Sequence, residues 1–287
     1  MAQNSIEGDS LMFAFFNENK LEVLLTEFEK KYAIENRLAE ILSYDKVLPN
    51  ISAFNSVPDW SETIFLTKFQ SLNIIPYYVN KREDYFSHDN RYSATLVEEK
   101  KIDEHYKSFS NAHPMAALFC NQLIKAILIT ELDSYIEGTT ADGLGIAHID
   151  FKEHFNQEDF NELIIHQITH MLLFIDDFIE PLVEDSHKQL PVRTAATHKR
   201  GGNLFPLYIF FHSLCVGIEV LNYRYNFQTL EAQVNYHPIT STAMQRCKDG
   251  FLILNDHINL FTLKGKKLLS SYGELLHKLD LEISHVA

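Results

Sequence analysis

Two histidines stand one helical turn apart in Glu162-Leu-Ile-Ile-His-Gln-Ile-Thr-His170. Side chains four residues apart share one face of an α-helix, so His166 and His170 can direct two imidazoles at a single ion. A chain with 14 histidines can also produce such a pair by chance, as surface or core residues. The same face continues into Leu163, Leu173 and Phe174, however, which would bury the rings, and a buried imidazole needs a partner. His166 and His170 are therefore expected to be metal ligands on a zincin-like HxxxH helix.

Position 167 determines what such a metal could do. A zinc peptidase needs Glu there as general base toward the metal-bound water, and Gln167 cannot accept a proton at ordinary pH. Either the reaction dispenses with that carboxylate, or Gln stands here in place of a natural Glu. Glu180 and Glu184 follow the motif too closely for a gluzincin-type third ligand, and Pro181 ends the helix between them. His187, His198, His212 and His237 are the histidine candidates. His212 is preferred because it sits inside the apolar stretch Leu207-Tyr-Ile-Phe-Phe-His-Ser-Leu214, where an unpaired imidazole is expensive. Asp176 and Asp177 could hold an imidazole from behind.

The order of these features resembles the HExxH-motif peptide-modification proteins, the 2-oxoglutarate-dependent peptide β-hydroxylases of ribosomal peptide pathways. The resemblance covers residues 114 to the C-terminus. Gly145-Ile-Ala-His148 precedes the motif Leu163-Ile-Ile-His-Gln-Ile-Thr-His-Met-Leu172, and Pro191-Val-Arg193 and Phe205-Pro-Leu-Tyr-Ile-Phe-Phe-His212 follow it. Leu260-Phe-Thr-Leu-Lys-Gly265 is similar to the family's terminal helix. Gln167 for Glu and Phe205 for Arg are departures. The resemblance implies Fe(II) held by His166, His170 and His212, with open positions for 2-oxoglutarate and dioxygen. It also implies a cation for the distal carboxylate of 2-oxoglutarate, for which Arg193 is the first choice and Arg200 the second. The substrate would be a precursor peptide hydroxylated at a side-chain β-carbon.

The elements that must position these residues are mostly helical. Apolar residues recur near the helical period from Ser10 to Lys46, predicting one long helix or two. Residues 48–104 are broken by Pro49, Pro58 and Pro76 and read as an irregular connection. Pro114 opens a helix expected to run from Met115 to Tyr135, and the alternating run Leu144–Phe151 reads as a strand. The motif helix should span Gln157–Ile179. A loop, a long apolar helix over Pro206–Arg224, and helical stretches over Leu230–Ile258, with a break near Pro238, and over Leu263–Leu281 close the chain. The expected fold is mainly α with a short strand region, divided into an N-terminal region over 1–104 for partner or peptide recognition and a metal-binding catalytic domain over 105–287.

Composition limits the partners. With 46% hydrophobic residues, 287 residues can fill a real core, and a net charge of −14 gives a nucleic acid no general attraction. Met1–Ser10 has no basic segment ahead of an apolar run, so a cytoplasmic protein is expected. Leu204–Leu221 is long enough to cross a bilayer but carries His212 and Glu219, and reads as a buried helix. Cys120, Cys215 and Cys247 are widely spaced and suit reduced core thiols. Two other classes fit the motif: a zincin-like zinc metallopeptidase, inactive with Gln167, and a non-catalytic, metal-stabilised peptide-binding protein. Metal identity and 2-oxoglutarate binding separate them from the hydroxylase.

Overall fold

The computed structural model describes residues 13–15, 17–42, 64–66, 96–129, 138–139, 144–149, 151–194, 203–228 and 233–286. Among them the chain is mainly helical. Helix α1 spans Glu18–Leu42, α2 Leu96–Ala112, α3 Pro114–Leu123, α4 Gln157–Ile179, α5 Leu207–Phe227, α6 Thr240–Asp256 and α7 Leu263–Val286. The division expected between residues 104 and 105 falls inside α2. The core is one continuous cluster running from Phe13 and Leu21 to Leu276 and Leu279, so α1 is packed into the same body as the later helices.

Helix α4 is the centre. Its start is fixed by Asn156, whose side-chain oxygen accepts from the backbone N–H of Glu158 and Asp159, while the Asp159 carboxylate accepts from the Asn156 N–H. This reciprocal cap satisfies donors that the first helical turn leaves unpaired. Pro181 and the extended Glu180 stop the helix at its other end. Between those limits the helix is buried almost all round, from Phe160 to Ile175. It packs against α5 and α1, and α5 in turn carries α6 and α7 on its other side.

The expected helix over Met115–Tyr135 is corrected. Helix α3 ends at Leu123, and Ala126–Ile129 is a strand, β2. The segment Ile124-Lys-Ala-Ile-Leu-Ile129 is apolar because a strand inside a parallel sheet is covered on both faces, and periodicity alone does not distinguish that from a buried helix. Strand β2 lies between β1 (Ile64–Leu66) and β4 (Ile146–Ile149), parallel to both, and β3 (Gly138–Thr139) pairs antiparallel with β4. Gly145, at φ 82°, supplies the turn into β4, and its carbonyl accepts from the N–H groups of Lys125 and Ala126. A second ribbon pairs β5 (Pro191–Arg193) antiparallel with β6 (Leu204–Pro206), which leads directly into α5.

Helix α5 is apolar enough to suggest a bilayer, but it is a core helix: among the described residues no helix is long and apolar enough to cross a membrane. Its two charged residues, Glu219 and Arg224, are buried with partners. Glu219, 1% exposed, accepts from the Tyr272 hydroxyl at 3.0 Å, from the Ala14 N–H and from the Asn222 amide, tying the N-terminal segment and α7 to α5. Burial pushes its carboxyl up from the ordinary 4.5 to about 7. A carboxyl held higher in the folded state contributes stability that is complete below pH 4.5 and is lost as pH rises toward 7. The shift corresponds to about 3 kcal/mol at 1.36 kcal/mol per unit. Glu219→Gln, which keeps the acceptor without the charge, is therefore expected to raise the urea midpoint relative to wild type at pH 8 more than at pH 5. An equal difference at both pH values would show that Glu219 does not titrate in this way.

The three cysteines are buried and free, as expected for reduced core thiols. Burial pushes the Cys247 thiol up to about 12 and that of Cys215 well above its usual value, so neither is a nucleophile.

Candidate metal centre

Glu162, His166 and His170 are spaced four apart on α4 and lie along one side of it. His166 and His170 have ring centroids 4.8 Å apart and are half-buried. Each meets a histidine from another element. His212 on α5, fully buried, places its Nδ1 3.4 Å from His170 Nδ1. His237, in the loop before α6, places its Nε2 3.1 Å from His166 Nδ1. Four imidazoles thus gather from two helices and a loop. His237 was one of four open histidine candidates in the sequence, and its loop supplies the contact that sequence spacing could not single out.

The loop is held by the same helix. Asp159, besides capping α4, accepts from the Asn235 and Tyr236 backbone N–H groups and from the Asn235 amide. Burial works to raise the Asp159 carboxyl, but hydrogen bonds from Asn156, Asn235 and Tyr236 outweigh it and hold the group below its usual range. Glu162, wholly buried, takes a bidentate pair from Arg224 on α5, Nε to Oε1 at 2.6 Å and Nη2 to Oε2 at 2.9 Å. Burial alone would raise the Glu162 carboxyl; His237 and Arg224 together lower it, so it is ionised. Its Oε2 also lies 2.9 Å from His237 Nδ1.

Proton positions follow from this chain of contacts. An ionised carboxylate only accepts, so His237 donates to it through Nδ1. When His237 is neutral, its Nε2 accepts and the 3.1 Å contact has His166 donating through Nδ1, with a lone pair on His166 Nε2. Burial holds the imidazoles of His166 and His212 well below their ordinary value and lowers His170 to about 4, with like-charge repulsion among the rings adding to the first two. All three are neutral near pH 7, the form in which imidazole binds a metal. His212 Nε2 is buried without a hydrogen-bond partner, against the rings of Phe174 and Tyr208.

The donor chemistry fits a transition metal, but the set is not closed as arranged: among the described residues no three His, Cys, Asp or Glu side chains are placed to share an ion. The two pair distances still carry information. Ligand nitrogens about 2.1 Å from a metal stand roughly 3.0 to 3.4 Å apart. Both separations fall in that range; the 3.4 Å His170–His212 contact is long for a hydrogen bond, while the 3.1 Å His166–His237 contact also suits one.

The remaining sequence candidates fall elsewhere. The expectation that Asp176 or Asp177 backs an imidazole is corrected. Asp177 accepts from the Leu182 N–H and pairs with Lys188, and Asp176 pairs with Lys264, so both tie the end of α4 to later elements. The backing carboxylate is Glu162, one turn before His166 rather than after His170. Glu180 and Glu184 are exposed, and His187 sits in the 3-10 turn Asp185–His187. Gln167 is wholly buried. Arg193 is exposed on β5 and donates from Nη1 to the Asn203 side-chain oxygen. His198 and Arg200 lie outside the described residues. No model of a known protein family matches the chain, and no curated protein matches it significantly.

Proposed function

We propose that the chain is an Fe(II)/2-oxoglutarate-dependent oxygenase that hydroxylates a side-chain β-carbon of a peptide. The observation that carries this reading is the imidazole cluster around His166 and His170, with one member, His237, held through Nδ1 by the buried Glu162 carboxylate. A carboxylate behind an imidazole is the usual outer support of a metal site. His166, His170 and His212 would hold the ion, and His237 would orient His166.

Fe(II), when bound, would allow dioxygen to oxidise both partners, one oxygen atom going to 2-oxoglutarate as it loses carbon dioxide to become succinate and the other to the peptide C–H bond to give the alcohol. The chain's own part is to bind and orient. Arg193, with its guanidinium in solvent, is the proposed partner of the distal carboxylate of 2-oxoglutarate. Gln167 supplies no general base, which argues against peptide hydrolysis and is neutral toward oxidation.

Anaerobic titration with Fe(II) and then 2-oxoglutarate tests this reading. A weak visible charge-transfer band is expected on the second addition, absent in His166→Ala and weakened in Arg193→Leu. Retention of zinc with no band on Fe(II) and 2-oxoglutarate would sink the oxygenase and leave a hydrolase-derived or structural centre.

A further inference from the structure

A cavity of about 240 Å³ lies between α5 and α6, and His237 forms part of its wall. Most of the lining is apolar: Phe210 and Leu214 from α5 face Ala243 and Gly250 from α6. Glycine makes the space. A Cβ on Gly250 would stand 3.5 Å from both the Leu214 side chain and the Phe210 ring, an ordinary contact, so a larger residue there would fill the cavity. Gly250 sits inside α6, where glycine is less stable than alanine.

We infer that this cavity is the specificity pocket of the site proposed above and takes an aromatic side chain of a peptide. Size favours a ring, since an apolar cavity of about 150 Å³ already holds benzene. His237 contacts His166 through its ring and is also one of the residues bordering the cavity, so a seated side chain would bring the adjoining peptide backbone near the imidazole cluster. Beside the apolar wall, Arg246 is exposed and has no ion-pair partner among the described residues, leaving its donors for peptide carbonyls. Ile239, next to Pro238 of the wall, is 64% exposed and gives a peptide an apolar surface to cover.

The inference rests on the metal reading only for what the pocket serves, so binding is tested first on metal-free protein. Ligand-observed saturation-transfer NMR on the full chain should detect N-acetyl-L-phenylalaninamide and not N-acetylglycinamide. Gly250→Leu should weaken the phenylalanine probe at least tenfold. Phe210→Ala enlarges the cavity and should shift preference at least threefold toward N-acetyl-L-tryptophanamide, an outcome that does not depend on Gly250→Leu folding. Absence of transfer in folded wild type, or affinity unchanged in both variants, would overturn the pocket. Adding Co(II) should then speed relaxation of the bound probe's ring protons. Binding without that acceleration would keep the pocket and count against the metal beside it.

Discussion

Arg224→Leu is expected to destabilise the protein by about 3–5 kcal/mol, the range found when one member of a buried ion pair is removed. The Arg224 and Glu162 side chains are 1% and 0% exposed, and both carboxylate oxygens receive a guanidinium N–H. Loss of the arginine leaves Glu162 ionised in the core with only His237 beside it. The same guanidinium donates to the Pro238 carbonyl at 2.8 Å, so the loop carrying His237 loses an anchor as well. The double variant Arg224→Leu/Glu162→Leu should recover most of the loss, because two apolar side chains remove the stranded charge. Urea denaturation at pH 7 measures all three proteins. If Arg224→Leu unfolds at the wild-type midpoint, or the double variant is less stable than the single, the pair does not hold α4 to α5 in the way its geometry implies.

Much of the architecture was readable where a helix had both a pattern and a stop. The expected limits of α4, Gln157 to Ile179, coincide with those observed, because Asn156 caps one end and Pro181 closes the other. Helices α5 and α7 run a few residues beyond their expected ends, since no breaker marks the last turn of either. The strand β2 was read as helix because burial on both faces erases alternation. Helix α2 begins inside a stretch expected to be irregular: its sequence, Leu-Val-Glu-Glu-Lys-Lys-Ile-Asp-Glu-His, is largely charged, and its apolar stripe rests on few residues.

The site was half legible. His166 and His170 declared themselves by spacing, and His212 by standing in an apolar run. Glu162 carried a comparable signal, standing four residues before His166 on the same face. Arg224 did too, as a cation closing Ile218-Glu-Val-Leu-Asn-Tyr-Arg224; a fully charged residue in a buried helix implies a buried partner of opposite sign. What spacing could not reveal is that a loop over 70 residues after His166 folds back under control of Asp159. That contact is tertiary, with no local pattern to announce it.

His237→Ala should lower metal affinity by about 10–100-fold without changing the number of ions bound, the usual result of removing a residue that orients a ligand. The argument turns on which contact is a hydrogen bond. A neutral His237 that spends its Nδ1 proton on Glu162 accepts at 3.1 Å from His166, the arrangement that leaves His166 Nε2 free for the ion. His212 has no such anchor: its Nε2 has no partner, and its 3.4 Å approach to His170 is long for a hydrogen bond and within reach of two ligands of one ion. His212→Ala should therefore remove one imidazole from the X-ray absorption spectrum of the bound metal, and His237→Ala should remove none. Competition titration with a chelator gives the affinities, and circular dichroism checks the fold of both variants. If His237→Ala loses an imidazole while His212→Ala binds as wild type does, the two exchange roles: His237 becomes the third ligand, supported directly by Glu162, and His212 becomes a core residue.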